Sequence, residues 1–495
     1  MTGADQAVGA PERLHPLYLV TGLGKSFKSS WGLIAAGAVL IAKGYWWTLA
    51  ALAIGVPLVS FISLYFTWRR FEYRVGANEI RIDSGILNRT HRSIPFDRIQ
   101  DVDISQGPIA RLLGLARVEF ETGGSAGDKN DDSALAAIAL DRAAALRDQV
   151  RARRATALDP GPDLAASEQA EAAPIFAMDA RRVLIAGVFN FSLAVLAGLF
   201  GATQTLGDVA GFDFFARRFW REALDAGSPI ADLILAHRFA AIVAGSLLLV
   251  AIGLAAGVGR TVLREYRFRL DRTATGLRRR RGLLTLTDVT LPITRVQAAI
   301  VATGPLRERF GWHILKLQSL AKDKGNKGDH VVAPLASQAE VSTILAQLGW
   351  RGVDPGVEWH RVSAAYAWQF TLLIALLLVP AAIQVWFMPL IGGAAVAIVA
   401  ALIATRWLGW QRYRYALDGD RLLVRSGWWG RRLLILPLAN IQSVDLTEDI
   451  LSRRFGVASL AIGVASGRGF SNHAIVALPS ATARALREKL LAPFA

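Results

Sequence analysis

Three stretches of this chain carry residue types that could meet a phosphate. Gly22-Leu23-Gly24-Lys25-Ser26 has the composition of the end of a phosphate-binding loop, where glycine amides and a lysine cradle the anion. The first glycine of such a loop would fall on Leu19, and no strand pattern precedes it, so the stretch reads as a basic segment beside a membrane span. Arg278, Arg279, Arg280 and Arg281, with Arg431 and Arg432, are candidates for contact with anionic lipid headgroups. The competing reading is a solvated charge run, since an arginine near an anionic surface gains about 1 kcal/mol without any specific recognition. Other chemistry is poorly supplied. The chain has no cysteine, which removes thiol nucleophiles, disulfides and cysteine-based zinc sites. Its histidines show no ligand-like spacing. Asn190 and Gln384 are the more polar residues within apolar runs, where a transport path would need ionisable groups. No catalytic residue, cofactor or metal site is assigned, and an enzyme is not expected.

What recurs is of another kind. Gly85, Pro95, Gln100 and Gly114 return as Gly282, Pro292, Gln297 and Gly311, and again as Gly427, Pro437, Gln442 and Gly456, with the same offsets in each copy. An internal repeat of this length fixes the architecture before any single residue does. The glycines suit turns with positive φ, and the prolines end strands. The glutamines suit either a hydrogen bond between backbone segments, which is the favoured reading, or contact with a partner. Gly107-Pro108 and Gly304-Pro305 open a short helix that Gly114 and Gly311 close; Asp449-Ile450 stands there in the third copy. Arg98 and Arg295 correspond to Asn440, so an anion site shared by all copies is not expected.

Each copy follows an apolar region. With 53% apolar residues and a mean hydropathy of +0.34, the composition calls for membrane spans. Six are predicted, Trp31–Ala42, Trp46–Trp68, Val183–Phe200, Phe239–Val258, Ala364–Trp386 and Leu390–Trp407, forming hairpins over residues 31–68, 181–259 and 362–408. Residues 1–30 are expected to be a flexible terminus, 155–180 a linker, and 201–236 an external loop whose Phe212–Trp220 run suits an interfacial helix, the favoured reading, or a loop packing on the spans. The soluble units are expected at 69–154, 260–352 and 409–495, closed by helices at Asp141–Arg154, Ala336–Leu348 and Ala481–Leu491. Arginines beside the spans place the units in the cytoplasm, with the chain in the inner (cell) membrane. The net charge of +16 then belongs to membrane topology and not to nucleic-acid binding.

Paired spans, a strand meander, Pro-x-x-x-x-Gln and a short helix ending in Leu-Gly or Phe-Gly resemble the bacterial pleckstrin-homology-like (PH-like) domain of membrane-flanked proteins, in its three-domain arrangement, from about residue 30 onward. The resemblance implies a multi-pass α-helical membrane protein carrying three PH-like domains, each a curled antiparallel sheet with a C-terminal capping helix. It brings no catalytic residues. It implies assembly with a shorter single-domain relative or self-association, beside the lipid bilayer. The expected function is a non-catalytic scaffold at the cytoplasmic face, in envelope maintenance or stress defence. An anionic-lipid-binding protein is the alternative, and a transporter the more remote one.

Overall fold

The computed structural model describes residues 11–22, 46–76, 79–84, 90–96, 99–122, 134–157, 173–191, 237–274, 276–320, 329–466 and 469–491. The expected span Trp31–Ala42, the Gly22–Ser26 stretch beyond Gly22, and the loop 201–236 with its Phe212–Trp220 run lie outside these residues.

The same module is built three times. In the first, β1 (Glu12–Arg13), β2 (Glu72–Val75), β3 (Glu79–Ser84) and β4 (Thr90–Pro95) form one antiparallel meander, and β5 (Ile99–Gln106), β6 (Leu115–Thr122) and β7 (Ala134–Ala139) form a second. The second module repeats this with β8 (Phe176–Ala177), β9 (Arg269–Arg272), β10 (Gly276–Arg281) and β11 (Leu286–Pro292), then β12 (Val296–Thr303), β13 (His313–Ser319) and β14 (Asp329–Ala336). The third has β15 (His360–Arg361), β16 (Arg414–Asp418), β17 (Arg421–Ser426) and β18 (Arg431–Pro437), then β19 (Ile441–Thr447), β20 (Val457–Ser466) and β21 (Gly469–Pro479). A short helix links the first two strands of each second meander: Pro108–Leu112, Pro305–Arg309 and Ile450–Arg454. A longer one follows the last strand: Leu140–Ala157, Gln338–Gln347 and Ser480–Leu491. Alternation along the strands sends Tyr73, Ile80, Ile82, Ile94, Val118 and Phe120 into the first core, where Leu146 of the closing helix joins them.

The first strand of every module lies upstream of the apolar helix that precedes its second strand. Glu12–Arg13 pairs with β2, Phe176–Ala177 with β9 and His360–Arg361 with β16. The buried residue after each strand is apolar: Leu14, Met178 and Val362. This corrects two expectations. The terminus before the first hairpin is anchored from Glu12, and the 155–180 linker ends in Phe176 and Met178, both core residues. The apolar helices Trp46–Arg70, Arg238–Glu265 and Pro389–Arg412 are therefore part of insertions between the first and second strands of the modules.

The helices before β2, β9 and β16 span Trp46–Arg70, Arg238–Glu265 and Pro389–Arg412. Among the described residues three helices are long and apolar enough to cross a membrane, at Val243–Glu265, Ala365–Phe387 and Pro389–Arg412. That is half the six spans expected. The third expected span is described only for its beginning, Ala180–Phe189. Ala365–Phe387 is interrupted between Ala375 and Leu378, just ahead of Pro380, which has no amide to return to the preceding turn.

The modules are not beads on a string. β5 pairs with β11, so the second meander of module one and the first of module two are one seven-stranded sheet. β12 pairs with β18, fusing modules two and three in the same way. Cores cross the boundary too: Ala416, Leu423 and Ile435 of module three pack in the core of module two, and Ala298 of module two in that of module three.

Candidate interaction surfaces

In the repeated quartet the proline and glutamine flank the point where the chain passes from the first meander of a module to the second, and the described glycines make turns on either side of it. Gly282 and Gly427 have φ of +117° and +79°, and a Cβ at either would collide with the backbone carbonyl of Thr285 or Gly430. Gly114, Gly311 and Gly456 end the short helices at φ between +64° and +71°. Pro95, Pro292 and Pro437 close β4, β11 and β18. The glutamines have one role in common that their sequence does not advertise. Gln100, Gln297 and Gln442 are each the extra residue of a β-bulge, at the register shift between Ile99 and Asp101, Val296 and Ala298, and Ile441 and Ser443. A bulge bends and twists its strand, which is what the corner requires. A backbone tie by the side chain is seen at Gln297, whose amide donates to Arg295 O at 3.4 Å. Gln442 is exposed; among the described residues no strand pairs with β19 on the side where β18 pairs with β12. Gly85 lies outside the described residues.

The arginine run 278–281 is largely spent inside module two. Arg279 is fully buried, and its Nη1 donates to Val331 O at 3.0 Å. Arg281 is buried against Glu265, Nη1 to Oε1 at 2.9 Å. Arg278 and Arg280 both reach Asp288, at 2.5 and 3.2 Å. Arg147 of module one reaches the same carboxylate at 3.3 Å. Burial of Asp288 opposes its charge, but the Arg278 hydrogen bond and the surrounding cations hold its pKa below the ordinary aspartate value. The strand alternates, so arginines at 279 and 281 turn inward whatever their charge; as headgroup contacts these two are corrected. Arg431 pairs with Glu308 across the second junction. Of the six, Arg280 and Arg432 are exposed.

Modules one and three share a tie to the helix before their second strand. Trp68 Nε1 donates to Leu14 O at 2.9 Å, and Trp410 Nε1 to Val362 O at 3.0 Å. Module two replaces the tryptophan by Glu265, which takes Arg281 instead. In module three Ser426 occupies the position of Arg281, and a cavity of about 400 Å³ opens there, lined by Tyr366, Arg406, Tyr413, Ser426, Gly427, Gly430, Arg432 and Val476. Arg406 is stacked 3.5 Å over the Tyr366 ring. The short helices also touch the hairpins: Arg307 donates to Phe189 O at 3.1 Å and Asn190 Oδ1 at 2.7 Å, and Gln369 to Ser452 Oγ at 3.4 Å. Leu112, Leu306 and Ile450 of the short helices, Phe310 just after one of them, and Trp429 in the turn before β18 are exposed apolar side chains.

The junctions carry the polar residues that sequence reasoning passed over. Asn440 donates to Gln297 O at 3.0 Å, tying the corner of module three to the bulge of module two. His473 Nε2 and Gln318 Oε1 are 2.7 Å apart across the same boundary. Arg111 donates to Leu283 O across the first. Asn440 was visible as a break from arginine in the repeat; nothing marked Gln318 or His473.

These features define a chain of sheet-fused PH-like modules, each with a helical insertion. The sequence profile of the bacterial PH domain family matches residues 21–154, 229–351 and 372–493, and the chain belongs to that family. It is similar to the UPF0699 transmembrane protein YdbT of Bacillus subtilis (strain 168), at 22% identity over 435 residues, covering 84% of each chain. It is also similar to the UPF0699 transmembrane protein YdbS of the same organism, at 31% identity over 127 residues, covering 24% of this chain and 74% of the relative. The chain is thus a three-repeat, YdbT-like membrane protein.

Proposed function

We propose that the protein is a non-catalytic membrane scaffold that presents its three modules at the cytoplasmic face for protein–protein assembly. The observation that supports this most is the use of the modules themselves: they bind one another through strand edges, and this surface is backbone, so it accepts any chain offering a matching edge. The flanking arginines favour the cytoplasmic side. Affinity capture of the tagged chain from mildly solubilised membranes is expected to recover a stoichiometric protein partner; recovery of none, with the chain itself intact, contradicts the reading. Accessibility of single cysteines placed in the modules, from one side of sealed vesicles, tests the orientation.

A second reading rests on the cavity beside Arg406 and Arg432, whose charge suits an anionic headgroup. Binding of the intact chain to vesicles with and without anionic lipid, repeated for Arg432→Ala, separates the two: equal binding in all cases removes this reading.

A further inference from the structure

The two internal junctions use one register. Leu286 faces Gln106, Thr287 faces Ser105 and Asp288 faces Ile104 in the first. Arg431 faces Thr303, Arg432 faces Ala302 and Leu433 faces Val301 in the second. Counted from Pro292 and Pro437 on one strand, and from Pro95 and Pro292 on the other, these are the same repeat positions. The junction is therefore a property of the module, in which the fourth strand of one copy docks on the fifth strand of the copy before it.

Three modules joined this way leave one edge of each kind at the ends. Among the described residues β4 pairs with β3 alone and β19 with β20 alone. An unpaired edge presents a row of backbone donors and acceptors and is a template for another strand. β19 exposes Gln442, Asp445 and Thr447, whereas in β12, which β18 covers, Gln297 is buried and Ala302 half-buried. We propose that β19 of one chain receives β4 of a second copy in the internal register, so that copies assemble head to tail. That register sets Thr447 opposite Thr90, Leu446 opposite His91, Asp445 opposite Arg92 and Val444 opposite Ser93. Directly opposed Asp and Arg on neighbouring strands favour the pairing, and the positions they occupy are uncharged in one partner or both at the internal junctions, Asp103 with Val289 and Ile300 with Leu434. The charge pair is thus particular to the terminal edges. It selects β4 of this chain over a misplaced internal edge. Because each copy offers, among the described residues, one edge of each kind, the contact is heterologous and builds a ring or a line in the membrane plane.

The inference deepens the scaffold reading by naming the partner. The chain has no cysteine, so the test is clean. Full-length Arg92→Cys and full-length Asp445→Cys are purified in mild detergent, mixed and oxidised. A disulfide-linked pair of chains is expected from the mixture and not from either variant alone. No cross-link in the mixture, equal cross-linking of Arg92→Cys with itself, or linkage of Asp445→Cys in membranes to a different protein in place of its own kind overturns the proposal. A charge-reversal series guards against misfolding: Asp445→Arg is expected to reduce the assembled fraction at least several-fold at unchanged melting temperature, and Arg92→Asp in the same chain to restore it. Failure of restoration counts against the register. If cross-linking fails while affinity capture still recovers another partner, the edge assignment falls and the scaffold reading stands; if both fail, both fall.

Discussion

Gly282 shows what the repeated residues do. Its φ of +117° lies where side chains rarely go, and the Thr285 carbonyl occupies the space of a Cβ. Gly282→Ala is expected to cost about 1–3 kcal/mol, read as a lowered melting temperature of the purified chain. Gly107, by contrast, has φ −74° and open space around its missing Cβ, so Gly107→Ala is expected to change the melting temperature little; equal losses for the two would contradict the account. The buried Arg281–Glu265 pair makes a second case. Removing one partner leaves an uncompensated charge inside the module, expected to cost about 3–5 kcal/mol. Arg281→Ser with Glu265→Trp installs the pair found in module three, and is expected to recover most of the loss seen with Arg281→Ser alone, as measured by thermal unfolding.

At the scale of elements, the corner strands and the junctions decide the behaviour. The glycines, prolines and short helices were legible because a turn, a strand end and a helix stop each need a residue type with its own backbone geometry. Where Pro108 and Pro305 open the short helix, Asp449 does the same by accepting from Ser452 N at 2.6 Å, so what reads in the sequence as a departure from Gly-Pro keeps the helix start. The two-residue strands upstream of the hairpins were not legible, because two residues have no period. Neither was the bulge at Gln100, Gln297 and Gln442, since a bulge is a mismatch with another strand and cannot be seen in one. Arg279 misled for a related reason: its charge argued for solvent, its place in the alternation for the core, and the alternation prevailed. At the junction of modules two and three, burial holds the His473 pKa below the ordinary histidine value, against the pull of Asp329. A histidine whose folded pKa is lowered stabilises the fold fully above its unfolded value. That stability declines as pH falls from about 6.5 toward the folded value. The melting temperature is therefore expected to drop on acidification below pH 6.5, and His473→Gln to flatten that drop; an unchanged slope in the variant would place the sensitivity elsewhere.

For the whole molecule, fusion through strand edges makes the three modules one body with two ends. Which edges meet was not written in the composition or the spacing, because a strand that pairs outward and one that faces water share the same alternation. Among the described residues three apolar helices of the expected spans were legible from hydropathy, and the position of the apolar segments as insertions within the modules was not, because the strand that precedes each is so short. The consequence is mechanical coupling: Ile435 belongs to module three by sequence and packs in the core of module two. Ile435→Ala is expected to cost about 2–5 kcal/mol and to increase protease cleavage in both modules, followed by mass spectrometry of the fragments; cleavage confined to module three would show the modules to be independent. The central claim, that one register joins the modules edge to edge, is tested most directly by paired cysteines in the intact chain in membranes, Ser105→Cys with Thr287→Cys and Ala302→Cys with Arg432→Cys. Both pairs face each other across a junction. The account predicts an intrachain disulfide from each pair and none when either cysteine is moved two residues along its strand; absence of the disulfide in the aligned pairs, or its formation in the shifted ones, would contradict it.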